Sequence, residues 1–286
     1  MRIGITGASG LIGSRLAALA RERGHEVIAF SRNPHAPGGR KFLPGQTPDV
    51  SGCDAIVNLA AEPVAGIWTQ AKKRAIRDSR ILGTRSIIEA INHAAHPPRV
   101  LVNASAVGYY GDTGENPEDE GAKPSSGFLA GLCADWENEA LRANTRVVLL
   151  RTGLVLSPRG GALAAMLPIF RLGLGGQLGS GRQWISWVHL DDEAALILAA
   201  VENDQFAGPL NSVSPNPVRN SDFTAALAHA LRRPAFFRVP AFALRLALGG
   251  FSAELLENRR VLPVVADRAG FTFRHPTLPE ALAELV

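Results

Sequence analysis

The chain has 286 residues, of which 46% are hydrophobic and 20% charged, and it carries a net charge of +4. This composition predicts a globular protein that buries a full core in one large or two unequal domains. It excludes a membrane-spanning helix, because no apolar run approaches the roughly 20 residues that such a helix needs. The two cysteines, Cys53 and Cys133, lack the spacing of a metal site or a disulfide framework.

The basic residues are spread over many segments, so we expect no nucleic-acid partner. One basic cluster lies within residues 72–80, but most of it would form a solvated helix face, and no aromatic array accompanies it for base stacking. The first residues enter a strand at once, without the charged and apolar regions of a signal peptide. We therefore expect a cytoplasmic protein without a membrane partner.

The first motif is a glycine-rich turn between a strand and a helix. Residues 3–5 form the short apolar run of a buried strand, and a turn with three glycines follows. Gly7 permits a tight turn, Gly10 lets a pyrophosphate approach the backbone, and Gly13 lets the helix pack against the strand. This context favours a dinucleotide site over a turn without ligand. Cofactor contacts are expected from Gly7, Ser9, Gly10, Leu11, Ile12 and Gly13.

The end of the second strand, residues 25–30, indicates which dinucleotide binds. An NAD site places Asp or Glu about 20 residues after the glycines, to bind the ribose 2′-hydroxyl. This chain has Ser31 and Arg32 there. Arginine pairs with a 2′-phosphate and serine donates a hydrogen bond to it, so the pattern favours NADP(H). A solvated loop position is the alternative for Arg32.

Strand and helix patterns then alternate. Strands are predicted over 55–59, 99–103 and 146–151, and helices over 68–93 and 128–140, with an acidic loop over 112–127. After residue 151 the alternation fades into a glycine-rich loop, a helix over 191–202, a strand over 209–213 and a mostly helical remainder. This order predicts an α/β fold, a Rossmann-type doubly wound parallel sheet with a smaller helical C-terminal region. We expect one domain over 1–155, with a return strand and helix near 183–213, and a second over 156–286.

With these segments in place, the chain resembles the extended short-chain dehydrogenase/reductase superfamily of nucleotide-sugar epimerases and dehydratases. The segments that carry the resemblance are Thr6 to Gly13, Asn58 to Ala61, Gly83-Thr84, Ser105 to Gly111, Arg151 to Val155 and Trp187 to His189. It is most similar to an atypical branch called the epimerase family, which has a C-terminal domain of unknown function, here about 236–284. That likeness rests on Ser79 to Thr84, residues 105–111, Asp135-Trp136-Glu137, Arg233-Pro234-Ala235 and Val239-Pro240.

The resemblance implies further cofactor contacts. Leu59, Ala60 and Ala61 follow a strand whose end should lie beside the adenosine or ribose. Arg80 can reach back to the cofactor's phosphates, with a surface ion pair as the alternative. Val155 lies in the segment that should pass near the nicotinamide.

Catalysis in ordinary members uses a Ser or Thr and a Tyr-x-x-x-Lys pair, in which the lysine lowers the tyrosine pKa so that the phenol exchanges a proton with the substrate. Ser105 matches the serine. The pair itself is missing, because Leu129 and Cys133 stand at or near its places and no Tyr-x-x-x-Lys exists in the chain. Tyr109 and Tyr110 are the remaining candidate proton donors, with local packing as the alternative.

Two further residues are expected at the cleft rim, where ligands of such folds bind outside the carboxyl ends of the strands. Arg182 lies in the glycine-rich loop and His189 precedes a helix. Both are candidate substrate contacts, and packing at the helix start is the alternative for His189. No cluster has the spacing of a zinc or iron site, so no metal is expected.

These residues leave two functions open. The first is an NADP(H)-dependent oxidoreductase or epimerase-like enzyme that acts on an unknown small molecule with a non-standard proton donor. The second is a non-catalytic NADP(H)-binding protein whose shape follows cofactor occupancy. The resemblance also leaves a homodimer open, since relatives often dimerise through central helices.

Overall fold

A computed structural model describes residues 1–34 and 38–286. The strands are β1 (Arg2–Thr6), β2 (Glu26–Ser31), β3 (Arg40–Lys41), β4 (Ala55–Asn58), β5 (Val100–Ala106), β6 (Arg146–Thr152), β7 (Leu154–Leu156), β8 (Gly176–Leu178), β9 (Trp184–Ile185), β10 (Trp187–His189), β11 (Gly208–Ser212), β12 (Val218–Arg219) and β13 (Phe237–Val239). The helices are α1 (Leu11–Glu22), α2 (Gln70–Asn92), α3 (Phe128–Ala140), α4 (Gly161–Arg171), α5 (Leu190–Glu202), α6 (Asn220–Leu231), α7 (Ala241–Leu248), α8 (Ser252–Leu256), α9 (Val264–Arg268) and α10 (Leu278–Leu285).

The main sheet has the strand order β11-β6-β5-β4-β1-β2-β3, and all its neighbours run parallel. From β1 the chain moves outward to β2 and β3, then returns to β4 on the other side of β1. This reversal opens a crevice between the carboxyl ends of β1 and β4, where ligands of doubly wound sheets bind. The predicted fold class is confirmed.

Apolar layers cover both faces of this sheet. On one face, Ile3 and Ile5 of β1 pack with Leu16 of α1 and Ile197 of α5. On the other face, residues of β2, β4 and β5 pack against α2. Strands buried on both faces explain why the sequence shows apolar runs here and no alternation.

The C-terminal region adds a second core in which α4, α6 and α10 meet. Three two-stranded pairs accompany it: β7 with β10, β8 with β13, and β9 with β12. Ala266 of α9 and Phe273 belong to the core of the main sheet, so this region packs directly against it. None of the helices formed by the described residues is long and apolar enough to cross a membrane.

One boundary differs from the prediction in a way that affects the site. β5 continues to Ala106, so Ser105 lies inside the strand and not just past it. The strand continues because β6 runs alongside it and pairs Ser105 with Arg151 and Ala106 with Thr152. Polar side chains in this stretch are therefore buried between sheet and helices.

Candidate cofactor-binding and active site

The glycine-rich turn forms a cradle at the carboxyl end of β1. Gly7 has a φ of 70°, and the Gly10 amide donates to the Gly7 carbonyl at 2.9 Å. A Cβ on Gly13 would lie 2.2 Å from that carbonyl oxygen, so no side chain fits there. Helix α1 begins at Leu11 without a side-chain cap. Its first amides therefore remain available to an anion such as a phosphate.

Thr6 joins this cradle to the end of β4. Its Oγ1 accepts hydrogen bonds from the amides of Leu59 and Ala60, both at 3.0 Å, and donates to Asn58 Oδ1 at 2.7 Å. Leu59, Ala60 and Ala61 are half-buried. The fold thus brings together the two predicted cofactor segments, the turn and the end of β4, on the two sides of the crevice.

A row of buried polar side chains continues from Asn58 across the sheet. Asn58 Nδ2 donates to Asn103 Oδ1 at 2.7 Å and to Thr84 Oγ1 at 3.0 Å. The Trp136 indole donates to the same Thr84 oxygen at 2.7 Å. A buried polar group without a partner costs about 1–3 kcal/mol. Because Thr84 belongs to α2 and Trp136 to α3, these hydrogen bonds hold both helices against the strand ends.

Ser31 and Arg32 lie on the other side of the turn, at the end of β2. Ser31 is half-buried and Arg32 is exposed. Because β2 pairs directly with β1, both residues stand one strand away from the glycine cradle. This is the place of the adenosine ribose when the pyrophosphate lies on the cradle.

A buried ion pair occupies the carboxyl end of the sheet beyond β5. Arg151 of β6 donates from Nε and Nη2 to the Glu137 carboxylate of α3, at 2.9 and 2.8 Å. Arg151 is 2% exposed and Glu137 4%. Burial alone lowers the pKa of Arg151, but its bonds to Glu137 outweigh burial and raise that pKa above the ordinary value. The guanidinium therefore remains a cation.

This ion pair organises the predicted catalytic residues. Ser105 Oγ donates to Glu137 Oε1 at 2.6 Å. Arg151 Nη1 donates to the Tyr110 hydroxyl at 2.9 Å, and that hydroxyl donates to Asn211 Oδ1 at 2.7 Å. Burial raises the pKa of Tyr110 to about 12. The hydroxyl of Tyr110 is thus fully engaged inside the protein.

Tyr109 is the more accessible of the two tyrosines. Its ring is half-buried, and the Arg151 guanidinium carbon lies 3.6 Å from the ring centroid. Burial raises the pKa of Tyr109, and the positive charge of Arg151 acts in the opposite direction. At neutral pH the phenol is protonated and has a cation against its face.

The two α3 residues predicted to stand at or near the places of the tyrosine and lysine offer no proton chemistry. Leu129 packs near Gly108, where a Cβ on the glycine would lie 3.6 Å from the Leu129 Cβ. Cys133 is buried, and burial raises the pKa of its thiol to about 11. A thiol with that pKa is neutral under ordinary conditions.

Arg80 of α2 reaches the backbone that follows β4. Its Nη1 donates to the carbonyls of Glu62 at 2.9 Å and Ile76 at 3.1 Å, and its guanidinium lies 5.0 Å from the Trp136 ring centroid. No carboxylate among the described residues forms an ion pair with it. The surface ion pair, the alternative for Arg80, is therefore absent here, while its contact with phosphate remains a prediction.

The remaining predicted residues lie further along the chain. Val155 is half-buried in β7, opposite Val188 of β10. Arg182 is exposed in the glycine-rich loop, and its carbonyl accepts a hydrogen bond from Arg219. These positions leave the nicotinamide contact of Val155 and the substrate contact of Arg182 as predictions.

His189 is 3% exposed and caps α5. Its Nδ1 accepts from the Asp191 amide at 3.1 Å, and its ring lies 3.8 Å from the His275 ring, centroid to centroid. Burial, and then the proximity of His275, lower the pKa of His189. These contacts fit the packing role that was the alternative for this residue.

A buried carboxyl group lies at the ends of β6 and β11, on the opposite face of the sheet from Arg151. Glu193 of α5 is 0% exposed and accepts hydrogen bonds from Thr152, at 2.9 Å, and from Ser212. Burial raises the pKa of Glu193 to about 7, and the two hydroxyls offset only part of that rise.

Sequence reasoning missed the roles of Glu137, Arg151, Asn211 and Glu193. A signal was present at Arg151, because an arginine near the end of an apolar strand requires a buried partner. The partner could not be named, since Glu137 is one of many carboxylates and only the packing of α3 selects it. Asn211 gave no signal beyond its place in a short predicted strand.

The chain matches two family models and is similar in sequence to several known proteins. Residues 3–211 match the model of the NAD dependent epimerase/dehydratase family, and residues 239–285 match a domain of unknown function, DUF1731. Epimerase family protein Mb2239 from Mycobacterium bovis is 43% identical, over 98% of this chain and 96% of its own length. Epimerase family protein SDR39U1 from Mus musculus is 36% identical over 100% of both chains.

Solved structures share the fold of this chain. The crystal structure of human epimerase family protein SDR39U1 (isoform 2) with NADPH has a TM-score of 0.95 and 34% identity, and the match covers 100% of this chain and 99% of that one. UDP-glucose 4-epimerase from Thermus thermophilus, in complex with NAD, has a TM-score of 0.77 at 20% identity, covering 100% of this chain and 97% of that one. The second likeness concerns the fold alone.

Proposed function

The chain belongs to the NAD dependent epimerase/dehydratase family, as its motifs predicted, and from this premise we propose that it is an NADP(H)-dependent oxidoreductase acting on a small organic molecule. The observation that carries the proposal is the array at the carboxyl end of β5 and β6. There the Arg151–Glu137 ion pair holds both the Ser105 hydroxyl and the Tyr109 ring. Buried charges are costly, and charges retained at the ligand edge of a sheet are typical of active sites.

The cofactor part of the proposal is supported by the fit of the residues to the group. The glycine cradle excludes side chains where a pyrophosphate must approach, and the first turn of α1 offers amides to it. Ser31 and Arg32 suit a 2′-phosphate and would not repel it as a carboxylate does. The relative crystallised with NADPH is 34% identical over the whole chain, which supports the same choice.

When bound, the nicotinamide supplies or accepts a hydride, and the protein's side chains handle the proton. Tyr109 is the residue best suited to donate it, because its phenol is protonated at neutral pH and can protonate a developing alkoxide, a much stronger base. Arg151 lies against its ring and stabilises the phenolate that donation leaves. Ser105, whose proton goes to Glu137, presents its oxygen as an acceptor that orients a substrate hydroxyl.

A second function, cofactor binding without turnover, is favoured by one observation. By the resemblance, Leu129 and Cys133, whose thiol pKa burial raises to about 11, stand at or near the places of the family's proton-transfer pair. In that case NADP(H) would set the shape of the protein for a partner.

The experiment has a binding arm and a turnover arm. We expect Arg32→Ala to weaken NADPH binding by tens-fold, because a charge-assisted contact contributes roughly 1.5–3 kcal/mol, and to change NADH binding little. Arg21→Ala, which removes an exposed arginine from α1, is the matched control. Equal losses for NADPH and NADH would contradict the assignment of Arg32.

The turnover arm follows NADPH oxidation with sugar nucleotides, carbonyl compounds and quinones. We expect Tyr109→Phe to abolish any turnover while leaving the NADPH dissociation constant unchanged, and Tyr110→Phe to lower stability more than turnover. Intact NADPH binding without turnover on any of these classes would remove the oxidoreductase proposal in favour of cofactor binding alone. Turnover that survives Tyr109→Phe would refute the assigned donor.

A further inference from the structure

Large apolar side chains protrude from one side of the C-terminal region. Leu246 is 88% exposed, Phe236 77%, Leu172 75% and Phe242 71%. Leu174 and Phe237 add to them, at 55% and 48%. We call these six residues, with the arginines described below, the apolar-basic patch. Monomeric proteins rarely expose so many large apolar side chains together, and exposed apolar patches commonly mark interaction sites.

Chain geometry makes these residues one surface. β8 and β13 pair with each other, with Phe237 opposite Gly176, and the Gly179 amide donates to the Val239 carbonyl at 2.8 Å. A Cβ on Gly173 would lie 3.3 Å from Pro234, so the loop that carries Leu172 and Leu174 runs beside the segment before β13. Helix α7 follows β13 after one residue and exposes Phe242 and Leu246, one turn apart.

The charged residues in the segments that carry these side chains are arginines. Arg171, Arg232, Arg233, Arg238 and Arg245 are all exposed, and none forms an ion pair with another described residue. The sequence contains no aspartate or glutamate over residues 158–190 or 223–253. The charged residues of these segments are therefore all arginines, and the segments are complementary to a partner that is both apolar and anionic.

A second copy of the chain does not fit this surface. A two-fold interface places the same patch on both partners, and arginines would then face arginines without carboxylates to separate them. The most exposed side chains also project outward from a turn and a short helix, which suits insertion into a soft layer better than burial in a preformed groove.

We propose that the apolar-basic patch docks the protein on the surface of an anionic phospholipid membrane. Phe and Leu side chains enter the boundary between headgroups and acyl chains, and the arginines pair with lipid phosphates, as in interfacial amphipathic segments. Docking of this kind at the membrane surface requires no segment that crosses the bilayer.

The test is co-flotation of the full chain with vesicles. Vesicles of phosphatidylcholine alone are compared with vesicles of phosphatidylcholine and phosphatidylglycerol in equal parts, at low and high salt. We expect binding to the anionic vesicles only, weakened by salt. The double variant Arg232→Gln/Arg233→Gln should lower the partition coefficient about thirtyfold, since each arginine near an anionic surface contributes about 1 kcal/mol. Phe242→Ser/Leu246→Ser should abolish binding.

Two controls lie outside the patch: Leu141→Ser, also 55% exposed, and Arg21→Gln, also exposed. Both should bind vesicles like the parent. Equal binding to neutral and anionic vesicles, or patch variants that bind like the parent, would overturn the proposal. Binding to soluble polyglutamate without vesicle binding would assign the patch to an acidic protein, and a dimer that the patch variants dissociate would assign it to a second copy.

Discussion

Replacing Glu193 by glutamine should stabilise the protein at alkaline pH. In the folded state burial raises the pKa of this carboxyl from an ordinary 4.5 to about 7. One pKa unit corresponds to about 1.36 kcal/mol, so holding Glu193 ionised in the folded protein costs about 3 kcal/mol relative to the unfolded chain. Glutamine is neutral, has the same shape, and can accept from Thr152 while donating to Ser212.

The sign of the effect follows from proton binding. Between about pH 4.5 and 7 the folded protein holds this proton more tightly than the unfolded chain does, so its stability falls as the pH rises through that range and is constant above it. Glu193→Gln removes this contribution. We expect the variant to exceed the parent by up to about 3 kcal/mol near pH 8, and by less than about 1 kcal/mol near pH 5.

Urea unfolding at a series of pH values measures this difference directly, because the change in midpoint at constant slope reports stability. Asp78→Asn is the matched control, since it makes the same kind of replacement at an exposed position of α2 and should change stability by less than about 0.5 kcal/mol. Parallel pH profiles for the parent and Glu193→Gln would show that the folded protein does not hold this proton and that burial does not raise the pKa of Glu193.

Two further predictions concern the ion pair and the cradle. Glu137→Gln leaves the buried Arg151 cation without its counter-charge and should cost about 3–5 kcal/mol in urea unfolding. Asp135→Asn, also on α3, breaks an exposed pair with Arg77 of α2 and should cost less than about 1 kcal/mol. Similar losses in the two variants would contradict the role of burial. Gly13→Ala places a Cβ 2.2 Å from the Gly7 oxygen and should abolish NADPH binding measured by titration. The control is Gly131→Ala, whose added Cβ meets open space on α3. This control should leave NADPH binding unchanged and stabilise the helix by up to about 1 kcal/mol. Unchanged NADPH binding by Gly13→Ala would show that the cradle can relax.

The glycine turn and the strand-helix alternation could be predicted because each is a local property. The turn depends on residues that are close together in the sequence, so Gly7, Gly10 and Gly13 indicate its shape without knowledge of the rest of the fold. Buried strands likewise show themselves as apolar runs. The end of β5 beyond Asn103 could not be predicted in this way, because Ser105 is polar and its pairing with β6 is what keeps it in the strand.

The polar array depends on register between distant segments. Ser105, Arg151 and Asn211 form one row because β5, β6 and β11 pair in parallel with those residues opposite one another. They are up to 106 positions apart in the chain, and no local pattern links them. Helix α3 then contributes Glu137, and its selection depends on how the helix packs.

A pattern common to the strands nevertheless predicts where such an array forms. On the face that meets α2 and α3, β4 passes from Ile56 to Asn58, and β5 passes from Leu101 to Asn103 and Ser105. Strand β6 passes from Leu149 to Arg151 on the same face. In each strand the apolar residue lies toward the amino end and the polar one at the carboxyl end. A polar residue at one strand end is unremarkable, but the same change in three adjacent strands requires a shared polar layer, since each buried group must find a partner. That layer lies at the edge where doubly wound sheets bind their ligands, so the ion pair that anchors it holds Ser105 and Tyr109 at the edge where we propose the active site.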